Sequence, residues 1–214
     1  MESQKPAITV IVPAYNTAKF IGEALGYIKN QTFKDYECVV VNDGSKDKTA
    51  QIAKNFIKKD KRFKLINHES NKGSSAARNT GFAVAKGKYV IFLDSDDIFD
   101  KKLLETLYVN ATKYNSQITV CNFSEYKVKK QITLNKIIND KNIIIGRNFT
   151  LGELLAKNSN FEALSNIVCN KLYEKKYMSD ERLLFNVKLR RAEDPEFNMR
   201  ALILAERISY CPEE

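Results

Sequence analysis

Tyr89-Val90-Ile91-Phe92-Leu93-Asp94-Ser95-Asp96-Asp97 passes from an unbroken apolar run straight into three carboxylates. The apolar part is too short for a helix and lacks the polar alternation of a half-exposed strand, so it reads as a strand buried on both faces. The stretch before it, 74–85, has helical spacing, and Gly87 follows as a stop. The stretch after it, 101–114, places Leu103, Leu104, Leu107 and Tyr108 on one helical face. The same alternation extends upstream. Strands are predicted at 8–12, 37–41 and 63–66, and helices at 18–30 and 48–58; a fifth strand is predicted at 118–121. Buried strands alternating with amphipathic helices predict an α/β fold with a mainly parallel sheet covered on both faces. After about Phe123 the pattern loosens. Runs such as Ile143-Ile144-Ile145 suggest extra strands or a hairpin. Helices are expected from Leu151 to about Lys157 and over 195–205, with a strand over 207–210. With no Gly/Ser linker and no repeat, 1–214 reads as one domain, its halves being about 1–122 and 123–214.

The 214 residues carry 35 Lys+Arg against 26 Asp+Glu, a net charge of +9 that favours anionic partners. The basic residues are dispersed, so nucleic acid is not the expected partner. No apolar stretch approaches the roughly twenty residues of a membrane span, and Met1 to Pro6 has no apolar signal core. Cys38, Cys121, Cys169 and Cys211 form no CxxC pair, which fits a reducing cytoplasm better than a disulfide scaffold or zinc site.

In open α/β sheets ligands bind beyond the carboxyl ends of the strands. Three predicted strands deliver polar residues there: Pro13-Ala14-Tyr15-Asn16, Asn42-Asp43-Gly44-Ser45 and Asp94-Ser95-Asp96-Asp97. Each alone could be a turn or a helix cap; together at one edge they mark a site. Carboxylates this dense repel one another unless a cation is near, and hard oxygen donors suit Mg2+ or Mn2+. Phe99 at the sixth position excludes an EF-hand. Asn71-Lys72-Gly73-Ser74-Ser75-Ala76-Ala77-Arg78-Asn79 allows close backbone approach at a helix start, a favourable place for phosphate. Arg78 lies within reach of the aspartate cluster, where it could also be an ordinary ion pair. Neither GxGxxG nor GxxxxGK[ST] occurs. His68, the only histidine, reads as an exposed loop residue. Asp194 before Pro195 reads as an N-cap with proline in the first helical position, a role compatible with facing a cleft.

Ile-Val-Pro-Ala-Tyr-Asn (11–16), Val-Asn-Asp-Gly-Ser (41–45), Gly-Ser-Ser-Ala-Ala-Arg-Asn (73–79), Phe-Leu-Asp-Ser-Asp-Asp (92–97) and Ala-Glu-Asp (192–194) occur in that order. In this combination the chain resembles family 2 glycosyltransferases of GT-A fold, above all bacterial enzymes of surface-polysaccharide or teichoic acid synthesis. The match is dense over 7–107, thin over 108–180 and returns at 190–210. The resemblance implies inverting transfer from a UDP-sugar to a glycan or lipid-linked acceptor with Mn2+ or Mg2+. It implies that Pro13 and Tyr15 line the nucleotide pocket and that Asp43 accepts a hydrogen bond from uracil. Arg78 would help hold the nucleotide or the diphosphate end. Asp94, with Ser95 beside it, would contact ribose or diphosphate. Asp96 would ligate the metal, with Asp97 adjacent, and Asp194, with Glu193 beside it, would be the general base. A helix N-terminus is expected to depress the pKa of Asp194.

Chains of this kind continue past the position of Glu214 with a segment that covers the site. A truncated chain, or a lid supplied from elsewhere, is therefore expected. The expected location is cytoplasmic, with peripheral association on the anionic inner face of the membrane. A non-catalytic UDP- or sugar-binding module is the alternative. A sugar nucleotidyltransferase is disfavoured, because Pro13-Ala14-Tyr15-Asn16 is not the Gly-rich basic loop such enzymes carry after their first strand.

Overall fold

A computed structural model describes residues 5–127, 130–133 and 165–211. A seven-stranded sheet has the order β3-β2-β1-β4-β8-β5-β9. The strands are β1 (Ile8–Ala14), β2 (Tyr36–Asn42), β3 (Phe63–Asn67), β4 (Tyr89–Phe92), β5 (Ile118–Cys121), β8 (Lys171–Glu174) and β9 (Ile208–Cys211). A separate antiparallel pair joins β6 (Ser124–Lys127) to β7 (Lys130–Thr133), the hairpin expected after Phe123. The run at 143–145 and the helix expected from Leu151 lie outside the described residues.

The mainly parallel sheet is as expected, with one strand the sequence reading missed. β8 runs antiparallel between β4 and β5. Its sequence, Lys171-Leu172-Tyr173-Glu174, has no apolar run to announce it. Lys171 is fully buried there, its Nζ donating to the Ile167 carbonyl at 2.5 Å and to Asn170 Oδ1 at 2.8 Å.

Alternation along β1 sends its side chains to two layers. Ile8, Val10 and Val12 pack with α1 (Ile21–Lys29), α2 (Thr49–Lys59) and α4 (Leu103–Tyr114). Ile11 turns to the other face, with Val90 and Phe92 and with Phe197 and Ala201 of α6 (Glu193–Leu204). Tyr177 and Met178 of α5 (Lys175–Asp180) join them. α3 (Ser74–Val84) lies close over β1, because a Cβ at Gly81 would stand 2.4 Å from Ile11 Cγ2. The chain runs outward from β1 through β2 to β3, then crosses back to β4 on the other side of β1. The order therefore reverses between β1 and β4, and a crevice opens beyond their carboxyl ends. Among the described residues no helix is long and apolar enough to cross a membrane.

The start of α6 corrects the sequence reading. The helix begins at Glu193, after Ala192 in a left-handed conformation (φ 59°), and no side chain caps it. Asp194 is therefore inside the first turn and is not the N-cap. Pro195 is the third helical residue, where its missing N–H still removes no intrahelical bond.

Candidate functional site

Pro13, Tyr15, Asp43, Arg78, Asp94, Ser95 and Asp96 all line one cavity of about 370 Å³ at the β1/β4 crevice. That is a ligand-sized space. Of the predicted site residues, Asp194 alone is not on its wall; its neighbour Glu193 is.

The floor is built by a close approach of loops. Gly44 (φ +69°) ends the β2 edge against the backbone of 70–71, and a Cβ there would meet Ser70 C at 2.5 Å. This brings the loop before α3 onto the Asp43 carboxylate. Oδ1 accepts the Lys72 N–H at 2.9 Å, and Oδ2 accepts the Gly73 N–H at 2.8 Å. His68 is the second correction. Its side chain is 7% exposed and not a loop ornament: Nδ1 is 2.6 Å from Asp43 Oδ1 and Nε2 is 3.0 Å from Thr80 Oγ1.

Arg78, buried at 4% exposure, joins the two halves of the chain. Its Nη2 donates to Asp94 Oδ1 and its Nη1 to Asp194 Oδ1, each at 2.8 Å. The guanidinium lies 5.1 Å from the Phe185 ring centroid. Phe185 is itself stacked on Phe197 at 4.0 Å and bonded through its backbone N–H and C=O to the Asn79 amide. These contacts fix the segment that leads into α6. Glu193 accepts a bond from Ser74 Oγ at 2.7 Å, tying the start of α6 to the start of α3.

Two carboxyls are pushed up to about 6. For Asp194 the main cause is burial, with repulsion from Asp94 and Glu193 adding to it and Arg78 opposing. The expectation that the helix N-terminus would lower it is overturned, because burial outweighs the pull of the cations. For Asp97 the causes are partial desolvation and then repulsion from Asp94 and Asp96, opposed by the Cys169 thiol.

Asp94, Asp97 and Cys169 bring one ligand atom each to within 4.8 Å of one another. Cys169 Sγ donates to Asp94 Oδ2 at 3.3 Å. Sequence reasoning missed Cys169; it comes from the turn before β8, which nothing in the apolar pattern places here. Asp96 is exposed on the cavity wall and is not part of that group. The Asp94 and Asp97 carboxylates are oxygen donors that fit a hard divalent cation, whereas burial pushes the Cys169 thiol up, so it serves as a donor to Asp94 rather than as a ligand. Asp97 holds its proton tightly, first through partial desolvation and then through repulsion from Asp94 and Asp96, a repulsion that a bound cation would relieve.

The profile of the glycosyl transferase family 2 matches residues 9–181. The chain belongs to this family. It is 32% identical over 216 residues to the uncharacterized glycosyltransferase EpsJ of Bacillus subtilis (strain 168), covering 97% of this chain and 59% of EpsJ. It is 36% identical over 206 residues to glycosyltransferase GlyA of Streptococcus pneumoniae serotype 4, covering 95% of this chain and 29% of GlyA. A solved structure of S. aureus TarS 1–349 in complex with UDP matches with TM-score 0.83 at 27% identity, covering 97% of this chain and 58% of that one. A TarS complex with UDP-GlcNAc matches with TM-score 0.82. These likenesses confirm the GT-A fold. The chain thus spans from under a third to about three fifths of these relatives.

Proposed function

We propose that this chain is the donor-binding and transferring part of an inverting, metal-dependent enzyme. It would move a sugar from a UDP-sugar to a hydroxyl of a glycan or lipid-linked acceptor in cell-surface polysaccharide synthesis. The observation that carries this is the Arg78 bridge. One guanidinium holds Asp94 from the donor-side sheet and Asp194 from the acceptor-side helix, above a cavity whose floor is Asp43. The TarS complexes with UDP and UDP-GlcNAc support the donor class.

Asp43 faces the base. Two backbone N–H bonds hold it in place, and a carboxylate offers a ring only acceptance, which suits the N–H of uracil. Pro13 and Tyr15 wall the base side, and the Tyr15 ring is exposed enough to stack on it. Arg78, held charged, meets the diphosphate end. Asp94, with Ser95, contacts ribose or diphosphate. Asp96, with Asp94 and Asp97, would hold Mn2+ or Mg2+, which when bound neutralises charge on the leaving diphosphate. Asp194 takes the acceptor's proton, and inversion needs no protein nucleophile. A second assignment of the base has its own observation: Glu193, not Asp194, lines the cavity.

Titration of UDP in Mn2+ and in EDTA tests the metal assignment. Affinity should drop in EDTA, and Asp96→Ala should bind UDP equally in both; wild-type affinity that is the same in both contradicts it. The net charge of +9 supports peripheral association with anionic membrane, where a lipid-linked acceptor lies. Phosphatidylglycerol vesicles should sediment the chain at low salt and release it as salt screens the surface. No binding at low salt removes that part.

A further inference from the structure

We propose that His68 is a positioning residue for base selection: it locks the Asp43 carboxylate so that its remaining lone pair faces a ring N–H. The role rests on the proposed function of Asp43.

The geometry is built by the sheet. β2 and β3 run parallel in a register that pairs Asn42 with Asn67, so Asp43 and His68 are the next residues along adjacent strands. Two bonds hold that register past the strand ends. The His68 N–H donates to the Asn42 carbonyl, and Asn42 Nδ2 donates to Asn67 Oδ1, each at 2.9 Å. The two side chains meet at 2.6 Å, 7% and 3% exposed.

The Asp43 contact places a hydrogen on Nδ1. An unprotonated Nδ1 at that distance from a carboxylate oxygen would set lone pair against lone pair, so Nδ1 carries the hydrogen and donates to Asp43. Nε2 lies 3.0 Å from the Thr80 hydroxyl of α3, which holds the ring from its other side. Asp43 therefore receives three donors: the imidazole, Lys72 N–H and Gly73 N–H. Oδ1 accepts from two of them and Oδ2 chiefly from Gly73. With about four lone-pair positions on a carboxylate, one is left for a group in the cavity that Asp43 lines. A pyrimidine whose ring nitrogen bears hydrogen fits it; one whose ring nitrogen carries a lone pair does not. Without the imidazole, the carboxylate keeps only the Lys72 and Gly73 N–H bonds from the loop before α3 and loses the donor that reaches it from the end of β3.

Asn and Gln separate this role from packing. An Asn amide nitrogen can stand near the place of Nδ1, and a Gln amide nitrogen near that of Nε2. Calorimetric titration of UDP and CDP, in Mn2+, into wild type, His68→Asn and His68→Gln is the test, with melting temperatures alongside. Wild type should prefer UDP, and His68→Asn should keep that preference within about threefold. His68→Gln should lose about tenfold in UDP affinity, the value of one hydrogen bond to a charged group, with CDP affinity unchanged. If His68→Gln keeps the wild-type ratio, or both variants lose the ratio together with equal falls in melting temperature, His68 has no positioning role. A wild-type chain that binds UDP and CDP alike overturns the uracil reading of Asp43 itself, and this role with it.

Discussion

Asp194→Asn is expected to lower the transfer rate by about 10²–10⁴, the usual value of a general base, while UDP binding and the fold persist. The fold should persist because Asp194 caps nothing. Its structural bond is to Arg78 Nη1, and an Asn amide oxygen can accept that bond. The stability sign follows from linkage. Asp194 has a pKa raised to about 6 in the folded chain, above the ordinary 3.9 of an unfolded aspartate. Its protonation therefore favours the folded state. That contribution is complete below the unfolded value and lost as pH rises through about 6. At pH 7 Asn removes a charge that burial disfavours, and Asp94 still pairs with Arg78, so melting temperature should hold. The same shift sets the rate profile: wild-type transfer should fall as pH drops through about 6, when the base gains its proton. The measurement is the initial rate at saturating donor across pH 5 to 8, with Glu193→Gln alongside. A near-normal rate for Asp194→Asn with a large loss for Glu193→Gln assigns the base to Glu193.

Arg78→Ala should be the most damaging single change to stability. It strips the cation from two carboxylates at once and removes the contact that ties α6 to the β4 edge. Removing one partner of a buried pair costs about 3–5 kcal/mol. The lower end applies here, because the Asp94 side chain is 34% exposed to the cavity and water can replace part of what is lost. For a chain of this size each kcal/mol is worth roughly 2–4 °C, so a fall on the order of 10 °C is expected, with UDP affinity also reduced. Arg78→Lys should recover little, since one ammonium lacks the planar fork that reaches both carboxylates. A melting temperature for Arg78→Ala within about 2 °C of wild type would show that the bridge holds nothing together.

The donor side was legible because its strands are buried on both faces and so spell themselves as apolar runs, and because Asp43 and Asp94 follow those runs directly. β8 was not legible, since Lys171 is buried there only by grace of the Ile167 carbonyl and the Asn170 side chain. Those partners come from the tertiary fold. With β8 went Cys169, which the turn before it carries to Asp94. His68 looked exposed because a lone histidine after a short strand has no pattern around it. A signal existed nonetheless: strands two and three end alike, in Val41-Asn42-Asp43 and Ile66-Asn67-His68. Pairing them in parallel register sets the acid beside the imidazole. At Asp194 local chemistry pointed to a cap. The left-handed Ala192 starts the helix earlier, and a charge-assisted bond to Arg78 takes the carboxylate instead.

On this reading the β1/β4 cavity takes the uridine diphosphate end of the donor. Calorimetric titration of UDP into the wild-type chain in Mn2+ tests it most directly. One UDP should bind saturably per chain, and Asp43→Asn on the floor of the cavity should weaken that binding. No measurable heat of binding, or binding that is unchanged in Asp43→Asn, would contradict it.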